Sequence, residues 1–386
     1  MTIFFTALFW FAVAWIGYVM VGYPVMIALL AAIRPRLLKR SENYLPTVAF
    51  VMAVYNEERA IDRRLRNYQE MDYPRELLSF HIGNDASTDA TESIIDRYAA
   101  GDPSIHLSRF VRSGKTKIVY ELAEQVDADI IVFTDADITV EPNGIRAIVS
   151  AMSDPSVGGV IGRMAYQDPG ANAGNTGQKK YLEIEDRVRE FESLIWTTVG
   201  PRGECFAVRR GSYKPLKNYK LSDDLNLVIT IPENGLRVWF EPDLMIHELE
   251  KRSLGSEYRR RLRMGQQAAV TYLAYDSTRY PWRSLAGFQI WSHKLLRNLA
   301  AIPMTLALVS AVVLAPGSHF FLWVSLAAAA WGLVMLAGYL CDRLSLKVPV
   351  LHYPLYFTSM LASLSIGTMR AVFSGGLEMW SSQRLE

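Results

Sequence analysis

The chain has 386 residues, of which 50% are hydrophobic and 21% are charged, so its composition is not that of a disordered protein. Its 41 basic and 39 acidic residues leave a net charge of +2, and this balance argues against nucleic acid as a partner. Only two cysteines occur, Cys205 and Cys341, which excludes a disulfide framework and a cysteine zinc site.

The N-terminal segment, residues 1–33, is predicted to be a transmembrane helix. No charged residue occurs from Ile3 to Ile33, and about 20 apolar residues are enough to cross a bilayer. Four basic residues follow between Arg34 and Arg40. Because basic residues mark the cytoplasmic side of a span, we expect the N-terminus outside and the following domain in the cytoplasm.

The C-terminal segment, residues 299–386, contains three more apolar runs, Leu299–Ala315, Phe320–Cys341 and Pro349–Met369. They predict about three transmembrane helices, so that the chain has four spans in all, or three if the short first run is not one. Residues 281–298, just before these runs, mix aromatic with cationic side chains. This mixture favours a helix in the membrane interface, and an ordinary amphipathic helix on the domain is the alternative.

Residues 34–280 are predicted to form an α/β domain of Rossmann-like type. Their first half alternates apolar strand patterns with helical patterns, which predicts a parallel sheet. Strands are expected at Thr47–Val54, Leu78–Ile82 and Asp129–Phe133, and polar residues follow each of them. Open α/β sheets bind ligands at the carboxyl ends of their strands. The candidate site is therefore expected in the loops after these strands.

Asp135 and Asp137 follow the third of these strands and are separated by one residue. Two such carboxylates can share one Mg²⁺ or Mn²⁺ ion that also binds phosphate oxygens, although the same pattern occurs in ordinary turns. The segment Ser113–Thr116 is not a phosphate loop, because Arg109 stands where that motif needs a glycine. Lys115 within it can still pair with a phosphate as a point charge, or it is simply solvated.

Two further groups carry candidate chemistry. Adjacent carboxylates at Asp223 and Asp224 repel each other, which favours a general base with a raised pKa, and a helix N-cap is the alternative. Asp85, at the end of the second strand, could accept hydrogen bonds from a base or a ribose. The segment Tyr258–Arg263 contains four arginines, which suit a diphosphate, an anionic membrane surface or solvent.

The order of these motifs resembles that of the membrane-integrated, inverting nucleotide-sugar glycosyltransferases of family 2, whose catalytic domain has the GT-A fold. The motifs that carry the resemblance are, in chain order, Val54-Tyr55-Asn56-Glu57-Glu58, Asp85-x-Ser87-x-x-Asp89, Gly114-Lys115, Asp135-x-Asp137, Asp223-Asp224 and the arginine segment. The similarity runs from about Pro46 to Arg297 and includes the flanking spans. It implies a GT-A domain on the cytoplasmic side of a bacterial plasma membrane.

The resemblance also implies roles for individual residues. Glu57 and Asp85 would hold the uridine part of a UDP-sugar, and Lys115 would face its diphosphate. The expected metal ligands for Mg²⁺ or Mn²⁺ are Asp135 and Asp137, of which Asp135 would also contact the diphosphate. The general base would be Asp224, and the product would be β-linked. The remaining expected substrate-binding residues are Tyr55, Asp223, Arg260, Arg261 and Arg263.

The chain departs from the processive hyaluronan-, chitin- and cellulose-type synthases in one motif. Those enzymes carry Gln-x-x-Arg-Trp where this chain has Tyr258-Arg259-Arg260-Arg261-Leu262, without a tryptophan. The departure favours a non-processive enzyme that adds one sugar to a lipid-linked or saccharide acceptor at the membrane. The alternatives are a processive synthase, a nucleotidyltransferase, and a nucleotide-binding scaffold or transporter without enzymatic activity. A homo-oligomer is left open.

Overall fold

The computed structural model describes residues 1–41, 43–165, 173–201, 203–219, 221–248, 254–344, 346 and 348–374. Its strands are β1 Val48–Val54, β2 Leu78–Asp85, β3 Ile105–Phe110, β4 Ile130–Thr134, β5 Ile138–Val140, β6 Val157–Ala165, β7 Cys205–Arg209 and β8 Arg237–Glu248. Its helices are α1 Thr2–Gly17, α2 Tyr23–Ile33, α3 Ile61–Gln69, α4 Thr91–Gly101, α5 Lys115–Gln125, α6 Gly144–Met152, α7 Ala173–Ile195, α8 Asp223–Glu233, α9 Leu254–Ala274, α10 Asp276–Arg279, α11 Leu285–Gln289, α12 Leu296–Asn298, α13 Ala301–Leu314, α14 His319–Arg343 and α15 Pro349–Ser374.

In the described part of the chain the strands form one mixed sheet in the order β3-β2-β1-β4-β7-β6-β8-β5. The parallel pairing predicted for the first half is confirmed for β3, β2, β1 and β4. The second half of the sheet is not parallel throughout, because β7 runs antiparallel to both β4 and β6 and β5 runs antiparallel to β8. The architecture is an α/β fold built on a mixed sheet.

Both faces of the sheet are covered, which explains the nearly continuous apolar run of β1. Phe50 and Met52 belong to a core that includes side chains of α3 and α6, whereas Val51 belongs to a second core that includes side chains of α5 and α8. Each loop that follows a strand therefore starts from a backbone held on both sides. This arrangement fixes the positions of the residues after β1, β2 and β4.

The described residues contain two helices that are long and apolar enough to span a membrane. One is the continuous Thr2–Ile33 helix, in which a π-helical turn over Tyr18–Gly22 joins α1 to α2, and the other is α14. A third candidate is a bent pair, Leu285–Asn298 with Ala301–Gly317, at an angle of 53°. The predicted interfacial segment 281–298 is thus helical, and its place in the membrane interface stays a prediction.

α15 covers the fourth predicted span and is 26 residues long, and it is not among the described helices that are apolar enough to cross a membrane. It packs closely on α9, and its place in a membrane stays a prediction. A Cβ added at Gly367 would lie 2.1 Å from the carbonyl oxygen of Leu262, and one at Gly265 would lie 2.5 Å from that of Leu364. Residues 375–386 of the predicted membrane region lie outside the described residues.

The N-terminal helix is joined to the rest of the chain by side-chain hydrogen bonds as well as by apolar packing. The Tyr23 hydroxyl donates to Glu192 Oε1 of α7 at 2.6 Å. The Tyr18 hydroxyl donates to Ser292 Oγ at 2.9 Å, and Trp15 Nε1 donates to the Leu296 carbonyl oxygen at 3.2 Å. The apolar helix, α7 and segment 281–298 therefore form one junction beside the α/β domain.

Candidate active site

The loops after β1 and β2 lie side by side at the carboxyl edge of the sheet and bind each other. The backbone N–H of Asn56 donates to Ser87 Oγ at 3.1 Å, and that of Thr88 donates to Asn56 Oδ1 at 2.8 Å. The N–H of Glu57 donates to Thr91 Oγ1 at 2.8 Å, so the half-buried Glu57 belongs to the same pair of loops, which form the rim of the candidate site. These bonds between loops make the rim of the site rigid before any ligand arrives.

Backbone strain is concentrated at this rim. Asn56 has φ +53° and Ala86 has φ +59°, and for alanine a left-handed conformation costs about 1–2 kcal/mol. Residues in such conformations persist only where the surrounding contacts hold them, and they cluster at functional sites. The strain therefore supports the placement of a site here.

Asp85, at the end of β2, is almost fully buried and is surrounded by donors from the chain itself. Its carboxylate accepts hydrogen bonds from the backbone N–H groups of Ser113 at 2.6 Å and Gly114 at 3.0 Å, and from the Arg112 guanidinium. Arg112 also lies 3.6 Å from the centre of the Tyr55 ring. The structure thus brings Tyr55 and Asp85 together through Arg112, a residue that the sequence analysis missed.

Lys115 is the first residue of α5 and forms an ion pair with Asp135 after β4. Burial alone would lower the pKa of the Lys115 ammonium, but Asp135 and then Asp223 outweigh it and hold that pKa above its usual value. Burial raises the pKa of the Asp135 carboxyl to about 6; Lys115 opposes this rise, whereas Asp137 and Glu204 add to it. The Lys115 ammonium is therefore surrounded by more carboxylates than its single charge can neutralise.

The predicted base, Asp224, lies in the first turn of α8. Neither aspartate is the N-cap, because the helix begins at Asp223 and Ser222 precedes it. Asp224 Oδ1 accepts hydrogen bonds from the N–H of Leu225 at 2.8 Å and from the Ser222 hydroxyl. Burial first, and then the charge of Asp223, raise the pKa of Asp224 to about 6. Such a carboxylate is ionised at neutral pH and still basic enough to accept a proton.

Gly203 and Glu204, just before β7, connect Asp224 with Asp135. A Cβ added at Gly203 would lie 3.1 Å from Asp224 Oδ2, so the glycine leaves room for this carboxylate. The N–H of Asp135 donates to the Glu204 carbonyl oxygen at 3.1 Å. The Glu204 side chain also accepts a hydrogen bond from Arg260 Nη2 of α9 at 3.3 Å. Glu204 had no role in the sequence analysis, since no spacing pattern links it to either aspartate.

The three predicted arginines differ in their surroundings. Burial lowers the pKa of Arg260, but Glu204 and Glu257 outweigh it and raise that pKa above its usual value. Arg261 Nε donates to Glu257 Oε1 at 2.7 Å within α9, and Arg263 is exposed. The structure thus brings Arg260 to the carboxylate cluster.

The donor set fits a divalent cation only if a substrate completes it. Within the described residues, no group of three or more histidine, cysteine, aspartate or glutamate side chains could hold a metal ion by itself. Asp135 and the buried Asp137 supply two carboxylates, and hard cations take six or more oxygen ligands. Diphosphate oxygens and water would have to provide the others.

Comparisons with known proteins find a family match and several relatives. Residues 49–216 match the model of Glycosyl transferase family 2. The chain is 26% identical over 193 residues to a beta-monoglucosyldiacylglycerol synthase of Synechocystis sp., covering 48% of this chain and 40% of that protein. It is 22% identical over 223 residues to a poly-beta-1,6-N-acetyl-D-glucosamine synthase of Staphylococcus aureus, covering 57% and 54%. The chain thus matches about half the length of these relatives.

A solved structure shares the fold over nearly the whole chain. It is a mannosyltransferase from Pyrobaculum calidifontis in complex with GDP-Man and Mn²⁺, with a TM-score of 0.71 at 22% identity, covering 96% of this chain and 100% of that chain. This likeness shows a fold of GT-A type, and within it residues 49–216 match the family 2 model.

Proposed function

We propose that the protein transfers a sugar from a nucleotide sugar, a UDP-sugar in our assignment, to an acceptor at the membrane, with inversion at the anomeric carbon. The product would be a β-glycosidic bond in an exopolysaccharide or a glycolipid. The observation that carries the proposal is the cluster around Lys115. The charges of Asp135, Asp223 and Asp224 all raise the pKa of its ammonium group. The cluster combines a phosphate partner, a metal-binding carboxylate and a base in one site.

The donor would bind across the carboxyl ends of β1, β2 and β4. Tyr55, Glu57 and Asp85 would contact the nucleoside at the rigid rim. Lys115 and Arg260 would pair with the diphosphate, since both are cations held beside an excess of carboxylates. A divalent cation at Asp135 and Asp137 would neutralise charge on the leaving diphosphate, and the Mn²⁺ of the structural neighbour is consistent with this. Mg²⁺ suits the same oxygen ligands.

Asp224 would act as the general base. Its carboxylate takes the proton of the acceptor hydroxyl, while that oxygen forms a bond to the anomeric carbon and the bond to the diphosphate breaks. The nucleoside diphosphate leaves with the bonding electron pair. One displacement inverts an α-linked donor to a β-linked product. General base catalysis of this kind contributes about 10²–10⁴-fold to the rate.

The acceptor is proposed to lie at the membrane because the N-terminal helix and segment 281–298 are joined directly to the catalytic domain. We place this domain on the cytoplasmic side of a plasma membrane, since basic residues follow the first span. The arginine segment lacks the tryptophan of processive synthases, which supports single addition. One relative is named as a glycolipid synthase and another as a polysaccharide synthase, so product length is part of the test.

The test is nucleoside diphosphate release by the full chain purified in detergent. Donors would be UDP-, GDP- and dTDP-sugars with Mn²⁺ or Mg²⁺, in the presence and absence of membrane lipid extract. Asp224→Asn removes the base, and Asp127→Asn is the matched control because Asp127 is fully exposed. We expect metal-dependent release from one donor that falls about 10²–10⁴-fold in Asp224→Asn and not in the control.

The outcomes separate the alternatives. Products one sugar longer than the acceptor support the proposal, whereas long chains would indicate a processive synthase. Equal release by wild type and Asp224→Asn would overturn the assignment of the base. If no nucleotide sugar binds with either metal, the enzymatic function is wrong and a scaffold or transporter takes its place.

A further inference from the structure

Arg64, in the middle of α3, is the largest fully buried side chain of the described residues. Its guanidinium carbon lies 5.3 Å from the ring centre of Phe50 and 5.1 Å from that of Phe80. Within the described part of the chain, no carboxylate lies within 4.0 Å of its nitrogen atoms, and Nε has no hydrogen-bond partner. A buried cation without an ion-pair partner is costly, so its retention calls for a reason.

The hydrogen bonds of Arg64 point to that reason. Nη1 donates to Asn67 Oδ1 at 3.1 Å, and Nη2 donates to Thr134 Oγ1 at 3.3 Å. The Thr134 hydroxyl in turn donates to the carbonyl oxygen of Asp135 at 3.5 Å. Arg64 therefore holds the last residue of β4, directly before the two candidate metal ligands.

Asn67, one helical turn after Arg64, holds the other end of the same segment. Its Nδ2 donates to the Val140 carbonyl oxygen at 2.7 Å, and its Oδ1 accepts from the Val140 N–H at 2.9 Å. The segment 134–140 that carries Asp135 and Asp137 is thus held at both ends by two side chains of one helix. The Arg64–Asn67 bond joins the two attachments into a single unit.

We propose that Arg64 and Asn67 form a buried clamp that positions Asp135 and Asp137 so that both carboxylates face the same ligand. The clamp rests on the proposed function, because its purpose is to pre-organise a site for a divalent cation and a diphosphate. Groups behind metal ligands commonly change metal affinity about 10–100-fold when they are altered. Arg64 and Asn67 are positioning residues, since they act through the backbone and do not contact the ligand.

The test measures Mn²⁺ binding directly, without catalysis. Free Mn²⁺ is followed by electron paramagnetic resonance during titration of the full chain in detergent with UDP present. The variants are Arg64→Met, which removes the charge and both bonds, and Arg64→Lys, which keeps the charge but not the planar fork. Arg63→Met is the matched control, because the neighbouring Arg63 is exposed on the same helix. The apparent melting temperature of each variant is measured in parallel.

We expect Arg64→Met to bind Mn²⁺ at least about tenfold more weakly than wild type and Arg64→Lys to be intermediate, whereas Arg63→Met is unchanged. We expect the melting temperature of Arg64→Met to stay near that of wild type, because the variant loses two hydrogen bonds but also loses the desolvation cost of a buried charge. If Arg64→Met does not fold, the Mn²⁺ affinity of Arg64→Lys tests the clamp, because the clamp predicts that this variant binds Mn²⁺ more weakly than wild type.

Wild-type affinity in a folded Arg64→Met or Arg64→Lys would overturn the clamp and leave the proposed function standing. Weak Mn²⁺ binding that is matched by a large fall in melting temperature would also overturn it, because the role would then be structural. A wild-type chain that binds no Mn²⁺ with UDP would overturn the proposed donor site and, with it, the clamp that serves this site.

Discussion

Replacing Gly83 by alanine should displace the helix that carries Lys115. Gly83 lies in β2 beneath α5, and an added Cβ would sit 2.2 Å from Cγ2 of Ile118. An ordinary carbon contact of about 3.5 Å requires a separation larger by about 1.3 Å. Overpacking of this kind typically costs about 1–3 kcal/mol of unfolding free energy. In a domain of this size each kcal/mol lowers the melting temperature by about 2–4 °C.

The same displacement should reduce activity, because Lys115 begins α5 and a shift of about 1 Å in a reacting group can cost about 10²-fold in rate. The assay combines the melting temperature in detergent with kcat/KM for the donor. Gly101→Ala is the control, since an added Cβ there meets nothing within 4 Å. Ile118→Ala removes the obstructing atom, so the double variant should be more stable than the sum of the two single effects predicts. Unchanged melting temperature and activity in Gly83→Ala would refute the packing argument.

Two further predictions concern pH. The pKa of Asp224 is raised to about 6 by burial and by Asp223, so kcat/KM should fall as the pH drops through about 6. Asp223→Asn removes that neighbouring charge and should move the acid limb to lower pH, and a limb that stays in place would contradict the assignment. The second concerns stability. Burial, and then His106, lower the pKa of His81 from 6.5 to about 4, so the folded state favours the neutral ring. The resulting stabilisation of the folded state is present above pH 6.5 and is lost as the pH falls to about 4. His106→Gln should therefore make the melting temperature less sensitive to pH over that range.

The strands that carry the candidate site were predictable because each is a short apolar run followed by polar residues. The positions of Asp85 and Asp135 at strand ends follow from that pattern and are confirmed. The antiparallel direction of β7 was not predictable, since a buried strand has the same apolar pattern in either direction. The contact of α15 with α9 was not predictable either, because it depends on glycines far apart in the chain.

The residues that the sequence analysis missed have long-range partners. Arg112 and Glu204 contact candidate site residues through hydrogen bonds that no local spacing predicts. Arg64 lies among charged residues in a strongly polar helix segment, which is the pattern of a solvent-exposed position. Its burial depends on Phe50 of β1 and Phe80 of β2, which are distant from it in the sequence. Hydrophobic periodicity does not predict contacts between residues that are far apart in the sequence.

The junction between the N-terminal helix and the α/β domain has a geometric consequence. Tyr18 and Tyr23 attach the helix at two levels, roughly one and a half helical turns apart, to segment 281–298 and to α7. The apolar helix is therefore held in a fixed position relative to α7 and segment 281–298. Under the proposed function, the distance of Asp224 from the membrane would then be fixed, so that acceptor hydroxyls would be selected by their depth in the membrane as well as by their chemistry.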